Sequence, residues 1–307
     1  MVARVTIAVI ALLGTTTAAT QTSLPPGEYT RSIRIGAASR SYILHVPPGR
    51  ADKRAMVLAF HGGASNARGT IRLTGLSDKA NKEGFVVVYP NGSGRLASIL
   101  TWNAGRCCGY AQQQGVDDVE FVRAVLDDVA KLTPIDPARV FATGISNGGQ
   151  MAYRLAAEMP DRIAAVAPVA ASLEVTLGST PRPVPIVHFH GTNDDHLPFE
   201  GGRGRRSIAG VSFTSVSATI NAWVKNNGCR PTPTVQKVPD KVVDGTHVER
   251  RTYSDCRDKA DVVLYVIDGG GHTWPGRVVR EVLLGTTSLQ ISATDLMWEF
   301  FLSHPKT

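Results

Sequence analysis

Six short apolar runs recur along the chain: 55–60, 84–89, 139–143, 163–167, 185–189 and 261–267. They are nearly continuous in apolar residues, where a half-exposed strand would alternate. Strands buried on both faces have this pattern, and such burial belongs to a parallel sheet covered by helices. The segments between the runs carry helical spacing. Asp117-Asp118 opens one that extends to about Leu132, with Val119, Val122, Val125 and Leu126 at helical intervals. Acidic residues suit the positive end of a helix dipole. Further helices are predicted from Asn147 to about Met159 and near 208–227 and 292–303. Strand and helix in alternation predict an α/β fold with a mainly parallel central sheet flanked by helices. Tyr29–Pro47 reads as a hairpin at an antiparallel edge. Residues 230–260, rich in Pro, Asp and Lys, interrupt the alternation. They are too few for a second domain and read as an excursion pinned by a disulfide between Cys229 and Cys256.

Of the 307 residues, 43% are hydrophobic and 19% charged, enough to bury a full core and too apolar for a disordered chain. The first twenty residues have a different character. One positive charge in Met1–Arg4 precedes the apolar run Val5–Leu13 and the small residues Gly14–Thr20. That is the pattern of an export signal cleaved near Ala19 or Thr20. The apolar run is about half the roughly 20 residues that a spanning helix needs, so no stable membrane anchor is expected. The expected organisation is a signal at 1–20 and one domain at 21–307, in the extracellular or periplasmic space. The net charge of +7 is scattered. Its densest run, Arg203-Gly-Arg205-Arg206, lacks aromatics for base stacking, so it reads as a solvated loop and not a nucleic-acid site.

In an exported chain, disulfides are the default use of cysteine. Cys107, Cys108, Cys229 and Cys256 allow three pairings. Cys229–Cys256 is favoured because it closes a loop of moderate length, worth roughly 3–4 kcal/mol in the loop-entropy account. The adjacent Cys107 and Cys108 then form a vicinal bridge or remain buried thiols. There is no CxxC pair with matching His spacing for zinc, and no metal or organic cofactor is expected.

The pentapeptide Gly144-Ile145-Ser146-Asn147-Gly148 follows an apolar run and precedes a helical one. This is the G-x-S-x-G elbow in the strand–turn–helix setting it requires, which lifts a serine hydroxyl out of the sheet. A hydroxyl is a weak nucleophile without a neighbouring base, and in this fold an acid and then a His follow the Ser. His272 is the candidate base. It lies in Asp268-Gly-Gly-Gly-His272 directly after a strand, whereas His188 and His190 read as packed and His304 as solvated. Asp194 and Asp195, after the run ending at Phe189, compete as the acid. Asp268, only four residues before His272, reads as a cap of its loop. The Asn147 N–H is one expected oxyanion donor, and the loop Phe60-His61-Gly62-Gly63-Ala64 after the first core strand supplies the other. Trp102 and Trp274 are candidates to shape the substrate cleft, or else loop packing. Trp223 and Trp298 read as core.

With these residues in place, the chain resembles the esterase/polyhydroxybutyrate depolymerase family, itself similar to feruloyl and acetylxylan esterases of carbohydrate esterase family 1. The resemblance spans about 42–301. It rests on His61-Gly-Gly-Ala-Ser-Asn66, Tyr89-Pro-Asn-Gly92, Trp102-Asn, Cys107-Cys-Gly, Val116-Asp-Asp-Val119, Gly144-Ile-Ser-Asn-Gly-Gly-Gln-Met-Ala152, His190-Gly-Thr-Asn-Asp194, Gly201-Gly, Asn227-Gly-Cys229, Gly269-Gly-Gly-His-Thr-Trp-Pro-Gly276 and Trp298-Glu-Phe-Phe301. It implies an α/β-hydrolase fold without a large cap domain. It also implies a triad of Ser146, Asp194 and His272 and an oxyanion N–H from Gly63–Ala64; the expected substrate contacts are His61, Trp102 and Trp274. It is compatible with a Cys229–Cys256 bridge. The implied activity is serine carboxylesterase action through an acyl-enzyme, on polyester oligomers or acylated polysaccharide. Two features depart from the family: Asp195-His196 stands where apolar residues or Pro are frequent, and the arginine-rich loop at 203–206 adjoins it. No polymer-binding module follows in this sequence, so soluble or oligomeric esters are expected rather than crystalline polyester. The rival classes are a serine peptidase or acyltransferase on the same residues, and a secreted binding protein on an inactive hydrolase fold.

Overall fold

Neighbouring side chains of a strand point to opposite faces of its sheet, and the apolar runs supply two cores at once. In the computed structural model, which describes residues 23–49, 51–178, 182–278 and 282–306, Met56, Leu58 and Phe60 enter one core. Ala55, Val57 and Ala59 enter the other. The predicted signal at 1–20 lies outside the described residues.

The chain opens with strands β1 (Gly27–Ile35), β2 (Ala38–Val46) and β3 (Arg54–Phe60), then helices α1 (Ala67–Thr74) and α2 (Leu76–Glu83). Strand β4 (Val86–Pro90) is followed by a small hairpin, β5 (Ser93–Leu96) and β6 (Ile99–Thr101), and by helices α3 (Gly109–Gln113) and α4 (Asp118–Leu132). Next come β7 (Ile135–Ile145), α5 (Asn147–Glu158), β8 (Ala165–Val169), β9 (Ile186–Gly191) and α6 (Val216–Asn227). Strands β10 (Thr234–Val238), β11 (His247–Tyr253) and β12 (Val262–Asp268) precede α7 (Ala293–Ser303).

Among the described residues, ten strands form one sheet in the order β1-β2-β4-β3-β7-β8-β9-β12-β11-β10. From β4 to β12 every neighbouring pair is parallel. The edges β1-β2 and β11-β10 are antiparallel. Helices α4, α5 and α6 cover one face, and α1, α2 and α7 the other. The predicted α/β class and the antiparallel hairpin at the N-terminal edge both stand.

Local chemistry explains where helices begin. Asp117 caps α4 by accepting the Glu120 N–H, and Ser292 caps α7 through the Asp295 N–H. The helix expected from Ile208 begins only at Val216, where Ser215 accepts the Ala218 N–H. Before it, Gly210 adopts a positive φ of 69° and Phe213 bridges to Gly202, so the chain cannot yet be helical. The expectation of a mere excursion at 230–260 also needs correction. It contains β10 and β11, which extend the sheet. Their residues are largely polar and half-exposed or exposed, so they lack the apolar run that marks a central strand. Cys229 pairs with Cys256, tying the end of α6 to the turn after β11, and Cys107 pairs with Cys108.

Candidate active site

In open α/β sheets, ligands bind beyond the carboxyl ends of the parallel strands. Four such ends converge here. Strand β3 runs into His61-Gly62-Gly63, β7 into Ser146, β9 into the loop carrying Asp194, and β12 into the loop carrying His272. Ser146, Asn147, His272, Gly62, Gly63 and Ala64 all line one open cleft of about 1130 Å³.

Ser146 stands between β7 and α5 with φ 58° and ψ −127°, a left-handed conformation that non-glycine residues rarely adopt. The turn closes because its flanks lack side chains. A methyl group on Gly144 would lie 2.6 Å from the Gly148 carbonyl carbon, and one on Gly148 would press on the carbonyl oxygens of Phe60 and His61. Ser146 N–H donates to Val169 O at 2.9 Å, tying the elbow to β8. The N–H of Asn147 lies in the first turn of α5, where helix N–H groups have no intrahelical partner and the dipole favours negative charge.

The Gly62-Gly63 loop runs beside this turn. A methyl group on Gly62 would lie 3.6 Å from Ser146 Cβ, and one on Gly63 3.8 Å from Asn147 Cβ. Ala64 takes a positive φ of 57°. His61 holds this loop without reaching the cleft, being 1% exposed. Its Nε2 accepts the Gly92 N–H at 2.9 Å, so its Nδ1 carries the proton and donates to Gly62 O at 2.7 Å. Burial above all, with a smaller push from Arg40, lowers the imidazole to about 4 against an opposing Gly62 carbonyl. The unfolded chain takes up this proton near pH 6.5, whereas the folded protein refuses it until about pH 4. Stability therefore falls as pH drops through that window, by about 3 kcal/mol in total from this group. Urea unfolding at several pH values, compared with His61→Gln, should show a shallower acid slope for the variant. Equal slopes would contradict the assignment.

Trp102 and Trp274 do not shape the cleft. Both are fully buried and absent from its lining. Trp102 packs edge-on against Phe60 and donates its Nε1–H to His61 O at 3.0 Å. Trp274 donates to Thr294 Oγ1 at 3.0 Å and anchors α7. The substrate contacts expected of His61, Trp102 and Trp274 are thus replaced by support of the loops. The Asn147 side chain shares that task, accepting Trp102 N–H at 2.7 Å and donating to Trp102 O at 3.0 Å.

Asp194 is 4% exposed, and its two oxygens are used separately. Oδ2 lies 2.7 Å from His272 Nδ1, and Oδ1 accepts the N–H groups of His196 and Leu197, each at 2.8 Å. Burial alone would raise this carboxyl. The charge of His272 and the N–H groups of His190 and His272 outweigh it and hold Asp194 below the usual carboxylate range. Asp195 points the other way, to Arg205 at 2.7 Å and Arg206 at 3.8 Å in the exposed arginine loop.

The loops that carry Asp194 and His272 are joined to each other. Asn193 N–H donates to Gly270 O and Thr192 N–H to Ile267 O, both at 2.9 Å. Thr192 Oγ1 donates to Asp268 at 3.0 Å while accepting Gly269 N–H at 2.9 Å. The Asp268 carboxylate, expected to cap its own loop, instead bonds across to Thr192 in the neighbouring loop. His272 N–H donates to Leu284 O at 2.7 Å. Spacing gave no sign of the partners His196 and Leu197, because backbone donors leave no residue-type signature. Around Ser146 the cleft is walled by Leu73, Ile99, Leu197, Ile208, Phe213 and Leu284, with Arg72, Arg277 and His196 among its polar groups.

A sheet of this order, with a serine elbow and a His–Asp pair at its carboxyl edge, defines the α/β-hydrolase class. Comparison with known proteins agrees. The family described as "Esterase PHB depolymerase" matches residues 40–180. NocK, a proposed esterase of Nocardia uniformis subsp. tsuyamanensis, is 30% identical over 286 residues, 89% of this chain and 82% of that protein. Feruloyl esterase B of Piromyces equi is 34% identical over 201 residues, 63% of this chain and 34% of that longer one. Among solved structures, acetyl xylan esterase from Aspergillus awamori has a TM-score of 0.52 at 16% identity, over 76% of this chain and 89% of its own, a likeness of fold. The chain belongs to the esterase/PHB depolymerase family, and it is a serine carboxylic ester hydrolase.

Proposed function

We propose that Ser146, His272 and Asp194 form the catalytic triad of this esterase. The observation that carries this assignment is the 2.7 Å His272–Asp194 hydrogen bond, in a cleft that His272 shares with the strained elbow serine. Ser146 Oγ attacks the ester carbonyl while His272 Nε2 takes its proton. The tetrahedral oxyanion forms against the N–H groups of Asn147 and of Gly63–Ala64. His272 returns the proton to the departing alkoxide, releasing the alcohol. Water, deprotonated by the same imidazole, then attacks the acyl-enzyme and frees Ser146 and the acid. Each preorganised oxyanion donor is worth about 3–4 kcal/mol of transition-state stabilisation.

The substrate is an ester carried on an oligomer: a hydroxyalkanoate oligomer or an acylated polysaccharide. An open cleft with an apolar wall suits an acyl group whose alcohol side extends into solvent, and the names of the family and of the Piromyces equi relative support these two chemistries. The protein acts after export; the Met1–Thr20 pattern and the paired cysteines support that reading. The test is a panel of short p-nitrophenyl esters, methyl ferulate, acetylated xylan and hydroxybutyrate oligomers. Turnover is expected on at least one oligomeric substrate at a higher kcat/KM than on the p-nitrophenyl esters. Cleavage of peptides with no turnover of any ester would overturn the assignment.

A further inference from the structure

Next to Asp194 lies a file of buried groups that the acyl-transfer chemistry does not use, its last member reaching the same carboxylate oxygen as His272. Tyr153 on α5 is fully buried, as is His188 on β9, and His190 is 2% exposed. Tyr153 Oη lies 2.8 Å from His188 Nδ1, and His188 Nε2 lies 3.0 Å from His190 Nδ1. His190 Nε2 lies 2.9 Å from Leu197 O and 3.4 Å from Asp194 Oδ2. His188 and His190 are two apart on one strand, so both point to the same face.

The two ends of the file orient it together. Leu197 O can only accept, so His190 Nε2 carries a hydrogen. With its hydrogen on Nε2, His190 can accept at Nδ1, which requires His188 Nε2 to donate. His188 Nδ1 in turn accepts, and Tyr153 O–H donates to it. The reverse order would turn a proton on His188 Nδ1 toward the Tyr153 hydroxyl, whose hydrogen has no other bonded acceptor among the described residues. Burial, reinforced by His190, holds His188 well below the usual imidazole range and so keeps it neutral.

We propose that Tyr153, His188 and His190 are positioning residues for the triad. The Tyr153 hydroxyl locks both imidazoles in the Nε2–H tautomer, so that an N–H and not a lone pair faces the Asp194 carboxylate. Aligned donors polarise one another, and their positive end points at the anion that orients His272. Without the hydroxyl, His188 can take the other tautomer and reverse the file. The His190 lone pair would then face two oxygens. This proposal rests on Asp194 being the triad acid.

The test begins with the intact protein. ¹⁵N-histidine spectra of the wild type should show two imidazoles, assigned to His188 and His190 by their loss in the His188→Gln and His190→Gln variants. Both should be protonated at Nε2 alone. In Tyr153→Phe, which keeps the ring stacked on Trp223 (centroids 5.9 Å apart), the Nε2–H tautomers should become mixed. Its kcat should fall about tenfold with KM within about twofold. A His190 protonated at Nδ1 in the wild type would overturn the proposal. So would Tyr153→Phe with unchanged tautomers, or with changed tautomers and full kcat. The wild-type spectrum is independent of turnover, so a failed triad assignment would be recognised separately, by full activity in Ser146→Ala.

Discussion

Replacing Ser146 with Ala should lower kcat/KM on every ester by about 10⁴–10⁶-fold and leave the fold unchanged. The size follows from what the hydroxyl does. Without it there is no acyl-enzyme, and the His–Asp pair has no proton to take, so only the oxyanion donors and substrate binding continue to assist direct attack by water. The stability expectation follows from the turn. The Ser146 side chain makes no capping hydrogen bond to α5, and its backbone is held by Val169 O and by glycine contacts that Ala leaves unaltered. Alanine tolerates the same positive φ at similar cost. The check is kcat/KM over the ester panel beside a thermal melt of both proteins. Activity within tenfold of wild type, from a preparation free of other esterases, would refute Ser146 as the nucleophile.

The sheet was legible because its central strands bury both faces, and continuous apolar runs such as 55–60 and 262–267 serve no other arrangement so well. Its far edge was not. β11 pairs antiparallel with β12 and β10 with β11, and the two carry Gln236, Lys237, Glu249, Arg250 and Arg251, residues that read equally well as loop. The elbow could be read because its geometry excludes side chains at two fixed positions, leaving a sequence signature. Asp194 and Asp195 could not be separated by spacing, since adjacent loop residues differ only in direction. The resemblance favoured Asp194, and the bonded distances show what divides the two: one faces two backbone N–H groups and an imidazole, the other a pair of exposed arginines. The tryptophans misled because an aromatic beside a catalytic loop has the same sequence context whether it meets substrate or supports the loop. Zero exposure decides for support. The paired histidines of β9 did leave a trace, the His-x-His spacing that puts both on one face. What they touch depends on α5 and on the loop at Leu197, neither of which is local in sequence.

Asp194→Asn should reduce kcat by on the order of 10⁴ while KM changes little. The substitution preserves shape and inverts a proton. Oδ1 accepts two backbone N–H groups at 2.8 Å, so the amide oxygen must occupy that site and the NH₂ group must face His272 Nδ1. Two donors cannot face each other at 2.7 Å. His272 therefore takes the tautomer with its hydrogen on Nε2, the atom that should receive the Ser146 proton, and general-base catalysis stops. KM is spared because Asp194 is buried behind His272 and is not part of the cleft lining. The same variant changes the acid stability of the fold in a defined sense. The Asp194 pKa is held below its unfolded value, which is near 3.9. Its ionised form therefore contributes stability that is fully present above the unfolded pKa and is lost as pH falls through the lower, folded one. Asp194→Asn lacks that contribution at neutral pH, so its unfolding midpoint in urea should be lower at pH 7 and approach the wild-type value in strong acid. Asp195→Asn is the control. It breaks only pairs with exposed Arg205 and Arg206, and exposed pairs contribute about 0–1 kcal/mol, so kcat should stay within about twofold. A crippled Asp195→Asn beside an active Asp194→Asn would reverse the assignment of the acid.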